Sequence, residues 1–294
     1  MIENQFEHKF GATLPIALAL SLPFGAYSQV PVMGFSLTGL LLLVMGGLTL
    51  RQCQQNRRLR PPFEYWWPAA IAFPAALVLA IQGDVVQAGY LIQLLLALLI
   101  PMTLAANGAV ACQAITAFVA ACGVGVLIHG AAEWAWIPPT AVDVHANILL
   151  AGPESLKAGL LLLFSGFLGG LVILVHPAFT VVHRRVAALA ILVVVAWLGY
   201  AMSRAVGQEN FWITRPLYQL PFPALVGMAL SLWLAARISA RAVLQARRQG
   251  SSRRMAFPVA IGLAVLAHIL TGTPPAVATF FLLGLAAALD APWT

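Results

Sequence analysis

The sequence predicts an all-α fold, a polytopic integral membrane bundle of about ten transmembrane helices, and three observations lead there. Of 294 residues, 61% are hydrophobic and only 9% are charged, against roughly a quarter charged in an ordinary soluble domain. So few ionised side chains cannot coat a water-facing exterior of this size. Apolar stretches long enough to cross a hydrocarbon core, about 17 to 25 residues, recur along the whole chain. Lys and Arg crowd alternate breaks between those stretches, as membrane topology requires.

In chain order the stretches fall near 11–28, 33–50, 66–83, 86–105, 108–129, 157–175, 186–203, 221–237, 255–271 and 274–290. The opening MIENQFEHKF carries Glu3 and Glu7 beside Lys9, unlike a cleavable signal, so the first run is expected to stay as a helix. Several breaks are marked by proline and glycine: RPP at 60–62, IPP at 137–139, PFP at 221–223 and GTPP at 272–275. If GTPP is a kink inside one re-entrant segment, the count falls to nine or eight. EYWWP sets Tyr65, Trp66 and Trp67 at a helix entrance, in the manner of an interfacial aromatic belt. GFLGG places Gly166 and Gly170 four apart on one helix face, which permits close helix packing. The whole of 1–294 is expected to be a single transmembrane domain with no soluble domain.

With the N-terminus inside, the cytoplasmic breaks hold 13 of the 16 basic residues, including Arg51, Arg57, Arg58 and Arg60, then Arg184 and Arg185, then the run from Arg237 to Arg254. Both termini are therefore expected in the cytoplasm. The net charge of +7 and pI near 9.9 follow from this orientation and do not point to nucleic acid. Cys112 and Cys122 stand ten apart on one expected helix, about 15 Å along its axis, too far to pair. Cys53 is expected in a loop. There is no disulfide framework and no zinc spacing.

Three basic residues, Lys157, Arg204 and Arg215, fall on the side where topology does not ask for positive charge. Asp84, Glu133, Asp143, Glu154 and Glu209 share that side, as do His129 and His145, with His268 near the outer end of its helix. Arg204 and Arg215 flank one short break with Glu209 between them. A guanidinium there can fork onto phosphate oxygens at headgroup depth; the plainer reading is snorkelling, or an ion pair with Glu209. His145 in DVHANIL has Asp143 two residues before it. A carboxylate beside an imidazole suits a general base, while a structural histidine is the plainer alternative.

Metal and cofactor chemistry find little footing. His176 and His183 are seven apart and can share a helix face, but one helix cannot supply both axial ligands of a haem. His129 with His268 is the one cross-helix pair of interest. No HExxH, CxxC or CxxCH occurs, nor a Walker motif, a dinucleotide GxGxxG or a GxSxG elbow. No cofactor and no metal are expected.

In the order of its features the chain resembles the O-antigen ligase and O-antigen polymerase family of bacterial inner-membrane glycosyltransferases. HRRVAALAILVVVAWLGYAMSRAVG is similar to that family's helix ending in a Ser-Arg step, here Ser203 and Arg204. AHILTGTPPAVATFFLLGLAAAL resembles its closing helix pair, and HANIL resembles its His-Asn signature, with Ala146 between His145 and Asn147. The resemblance implies a multi-pass protein of the bacterial inner membrane acting on a glycan carried by undecaprenyl diphosphate, at the periplasmic face. It implies that Arg204 and Arg215 hold the diphosphate and that His145 is the catalytic base; Glu209, Asp143 and Glu133, which share that outer face, are expected to complete the substrate site.

Two other classes stay open: a ten-helix secondary transporter of a small solute, and a non-catalytic membrane subunit of a larger complex. The transporter reading asks for polar groups at mid-membrane depth and two related halves. Expected partners are membrane lipids, the polyprenyl-diphosphate-linked glycan and other proteins of a membrane complex; nucleic acid is not among them.

Overall fold

A computed structural model describes residues 13–24, 37–55, 66–104, 108–133, 153–205, 220–250, 252–273 and 277–290. Among them every regular element is helical, as the repeating apolar runs predict. Ten helices follow in order: α1 (13–21, continued by a 3-10 turn Leu22–Phe24), α2 (Leu37–Gln55), α3 (Trp67–Ile81), α4 (Val85–Leu104), α5 (Gly108–Glu133), α6 (Pro153–Val175), α7 (Val181–Ala205), α8 (Phe222–Gln249), α9 (Ala256–Thr271) and α10 (Val277–Asp290). Four contain an apolar stretch long enough to cross a membrane, within 108–128, 181–199, 222–248 and 253–271, and α2, α3, α4, α6 and α10 add shorter apolar ones.

The local signals explain most ends. Pro68 sits in the first turn of α3, where a missing N–H costs nothing. Asp84 begins α4 by accepting the Gln87 N–H at 3.2 Å, a side-chain cap. Gly272, in the left-handed region at φ 61°, closes α9 and accounts for the break at GTPP. The final apolar pair is thus two separate helices, and ten helices are found among the described residues.

Three expectations are corrected. α8 does not stop at 237 but runs to Gln249, because Ile238, Ala242 and Ala246 continue a buried stripe at four-residue spacing beneath the arginines. α2 likewise runs through Arg51 to Gln55, which takes Cys53 out of a loop and into a helix. α7 begins at Val181, so Arg184 and Arg185 are helical, and His176 lies in the preceding turn rather than on a helix face shared with His183.

The last helix is the centre of the bundle. Every residue from Ala278 to Ala288 is buried, with Phe280, Phe281, Leu283, Leu285 and Ala286 wholly so. α10 packs most extensively on α4, then on α8, α5 and α9. At 14 residues it is about 21 Å long, shorter than a bilayer core of about 30 Å. Protein, not lipid, walls it on all sides. α2 and α3 lean on the outer side of α4, and α6 and α7 lie beyond α5. α6 is drawn in by its glycines: a Cβ at Gly166 would meet Cys122 Sγ of α5 at 2.8 Å, and one at Gly170 would meet Ile191 of α7 at 2.6 Å. The close packing expected of GFLGG is therefore used against two neighbours at once.

Candidate functional site

The packing of α5, α6 and α7 decides which ends meet. Gly166 lies against Cys122 and Gly169 against Val119, so α6 runs antiparallel to α5. Gly123 lies against Ala190, where an added Cβ would stand 3.2 Å from the Ala190 Cα. α5 and α7 are therefore parallel, and both finish at the same end of the bundle. From that level Glu133 is ten residues along α5 and Arg204 fourteen along α7, rises of about 15 and 21 Å. The segments 134–152 and 206–219 leave from these two neighbouring ends.

Of the residues singled out from sequence, Glu133 is the last of α5 and Arg204 stands in the final turn of α7; these are placements of the backbone. Asp143, His145, Glu209 and Arg215 lie outside the described residues. Asp84, counted among the outer acids, is occupied as the cap of α4.

At the same end, a buried polar tie joins two helices. His268 of α9 and Thr279 of α10 are both buried, with His268 Nε2 3.0 Å from Thr279 Oγ1. Such a bond in an apolar surround joins two helices more strongly than it would in water. Thr279 also lines a cavity of about 30 Å³ together with Ser165, Ile115, Val172 and Phe257, room for a water-sized occupant. The Ser165 hydroxyl is already donated to the Leu161 carbonyl at 2.9 Å.

Sequence reasoning considered His176 only as a haem ligand, and the structure gives it a different task at the opposite end. The Ala178 N–H donates to His176 Nδ1 at 3.3 Å, closing the turn between α6 and α7. In the neutral ring the proton then sits on Nε2, which is buried without a hydrogen-bond partner. Phe179 and Phe257 meet the imidazole edge-on at 6.0 and 6.5 Å. Arg184 Nη2 reaches the His176 carbonyl at 3.5 Å, and Cys112 Sγ reaches the Ala178 carbonyl at 3.7 Å. Burial, then the charge of Arg254, lowers the His176 pKa to about 4, so the ring stays neutral near pH 7. The contact with Phe257 also fixes the start of α9 beside this turn. His183 Nδ1 is engaged by the Thr180 N–H at 3.3 Å.

Among the described residues no three His, Cys, Asp or Glu side chains converge as a metal site would need. Fold and site together define a polytopic, all-helical membrane protein with an apolar interior. In comparisons with known proteins, no family model, no curated protein and no solved structure matches this chain.

Proposed function

We propose that this protein handles an anionic, lipid-linked glycan at the end of the bundle where α5 and α7 finish. The observation that supports the reading is the parallel packing of those two helices, which finish at the same end of the bundle, where the chain goes on into 134–152 and 206–219. Asp143 and His145 belong to the first segment, and Glu209 and Arg215 to the second. In this reading Arg204 and Arg215 neutralise a diphosphate, the leaving group of a polyprenyl-linked sugar, and His145 removes the proton of the acceptor hydroxyl. The resemblance to the O-antigen ligase and polymerase family supports the same chemistry, in the inner membrane of a bacterium with both termini in the cytoplasm.

The non-catalytic subunit of a membrane complex is the second reading, and the described interior favours it over a transporter. Two of the buried hydroxyls turn back on their own helices: Thr116 donates to the Cys112 carbonyl at 2.8 Å, and Ser231 to the Met228 carbonyl at 2.8 Å. A hydroxyl whose proton is given to its own helix offers a passing solute no donor.

The deciding experiment replaces Arg204 and Arg215 with Ala and measures both retention of a polyprenyl-diphosphate-linked glycan and its transfer to an acceptor. Loss of retention is expected in the double variant. Unchanged retention removes the reading; retention that depends on the arginines without any transfer by the native protein selects the non-catalytic form.

A further inference from the structure

α3 touches α8 only lightly, although both helices lean on α4. Towards one end Val226 of α8 packs against the small cluster of Ala76, Leu79, Ala88 and Leu91, which α3 and α4 form together. Towards the other, α3 and α8 part. The space between them is a groove of about 430 Å³ walled by Trp67, Pro68 and Ile71 on α3 and by Ala229, Leu230 and Trp233 on α8. Both indoles are substantially exposed. Val226 also lines it, and Trp233 is the lining residue of α8 nearest the end where that helix finishes.

The α8 wall does not stop at Trp233. Leu230, Trp233, Arg237 and Arg241 follow at spacings of three and four and so share one helix face. Arg237 stands one turn beyond the indole, about 6 Å along the axis, and Arg241 a further turn on. Apolar walls, then indoles, then cations, in that order along one line, are the profile of a bilayer leaflet from hydrocarbon to headgroup.

We infer that the α3–α8 groove seats one anionic phospholipid of the leaflet facing the basic end, its chains between Trp67 and Trp233 and its phosphate on Arg237 and Arg241. Both arginines also make contacts within the protein, and a guanidinium has five donors to share among its partners. Arg237 is exposed. Charge selects the occupant: a zwitterionic lipid fills the groove equally well but brings no net charge to the cations. This site lies on the flank of the bundle and is independent of the glycan reading.

The test is native mass spectrometry of the full-length protein in detergent with equal amounts of phosphatidylglycerol and phosphatidylcholine. The native protein is expected to retain one phosphatidylglycerol in preference to phosphatidylcholine by roughly tenfold or more, the effect of two cations near a headgroup. R237Q/R241Q is expected to bring that preference close to unity. A229W, an exposed position on the groove wall, is expected to evict the lipid altogether while circular dichroism shows the helical fold intact. Equal retention of the two lipids by the native protein overturns the inference. So does phosphatidylglycerol retention unaffected by both variants, or a lipid-free dimer that puts a second copy of the chain on this face.

Discussion

Gly284 of α10 rests directly on the main-chain carbonyl of Leu98 in α4, with the ring of Pro101 closing the same space: a Cβ at Gly284 would also meet Pro101 Cγ at 2.6 Å. Pro101 itself takes one N–H out of the α4 ladder, and the glycine lets the central helix lie against that altered turn. Backbone cannot rotate away from an added methyl as a side-chain tip can. Gly284→Ala is therefore expected to destabilise the bundle by about 1–3 kcal/mol, the range for overpacking a dense interior, read as a lowered thermal midpoint in detergent.

The other helical glycines rank behind it in a defined order. At Gly170 the obstacle is the flexible end of Ile191, so Gly170→Ala should cost less than Gly284→Ala. Gly47 and Gly89 have nothing within 4 Å of an added Cβ, and both sit inside helices. Alanine there is expected to stabilise by about 0.5–1 kcal/mol through the unfolded chain's lost freedom. A common melting assay over these variants checks the order; equal losses at Gly170 and Gly284 would contradict the distinction between side-chain and backbone obstacles.

Thr279 joins α10 to α9 through His268, 3.0 Å away. Thr279→Val keeps the shape and removes the hydroxyl, so the imidazole loses that partner. The expected cost is about 1–3 kcal/mol. Thr279→Ser retains the bond and should recover most of it. If valine melts like serine, the tie contributes nothing to holding the two helices together.

The ten helices were legible because each is a sustained apolar run bounded by charge or by proline, and the bilayer imposes that pattern directly. The central place of α10 was not. VATFFLLGLAAALD is apolar on every face, and both lipid and protein interior select such a surface, so hydrophobicity does not distinguish the core of a bundle from its rim. The extension of α8 was readable in principle, from Ile238, Ala242 and Ala246 spaced beneath the arginines, but charge density masked it. At the candidate site, Arg204 was identified as a cation on the side where topology does not ask for positive charge and Glu133 as an acid sharing that side, and the parallel packing of α5 and α7 finishes both helices at the same end of the bundle. The role of His176 lay beyond sequence reasoning, because the Ala178 N–H it accepts depends on a turn geometry that no spacing rule specifies.

That histidine also sets a pH dependence whose sign follows from its surroundings. Burial and the charge of Arg254 lower its folded-state pKa from 6.5 to about 4, and Arg184 adds a second cation close to its carbonyl. Between those two values the unfolded chain binds a proton that the folded protein does not, so stability rises with pH across that window and falls as pH drops through it. Above 6.5 both states carry a neutral ring, and His176 contributes no slope. His176→Gln keeps an acceptor in the turn but does not titrate. The native protein minus this variant, melted at intervals from pH 4 to pH 8, is expected to show a difference that shrinks on acidification below about pH 6.5. A difference independent of pH over the whole range would mean that the ring does not stay neutral within the fold, or that the turn opens before the proton is taken up.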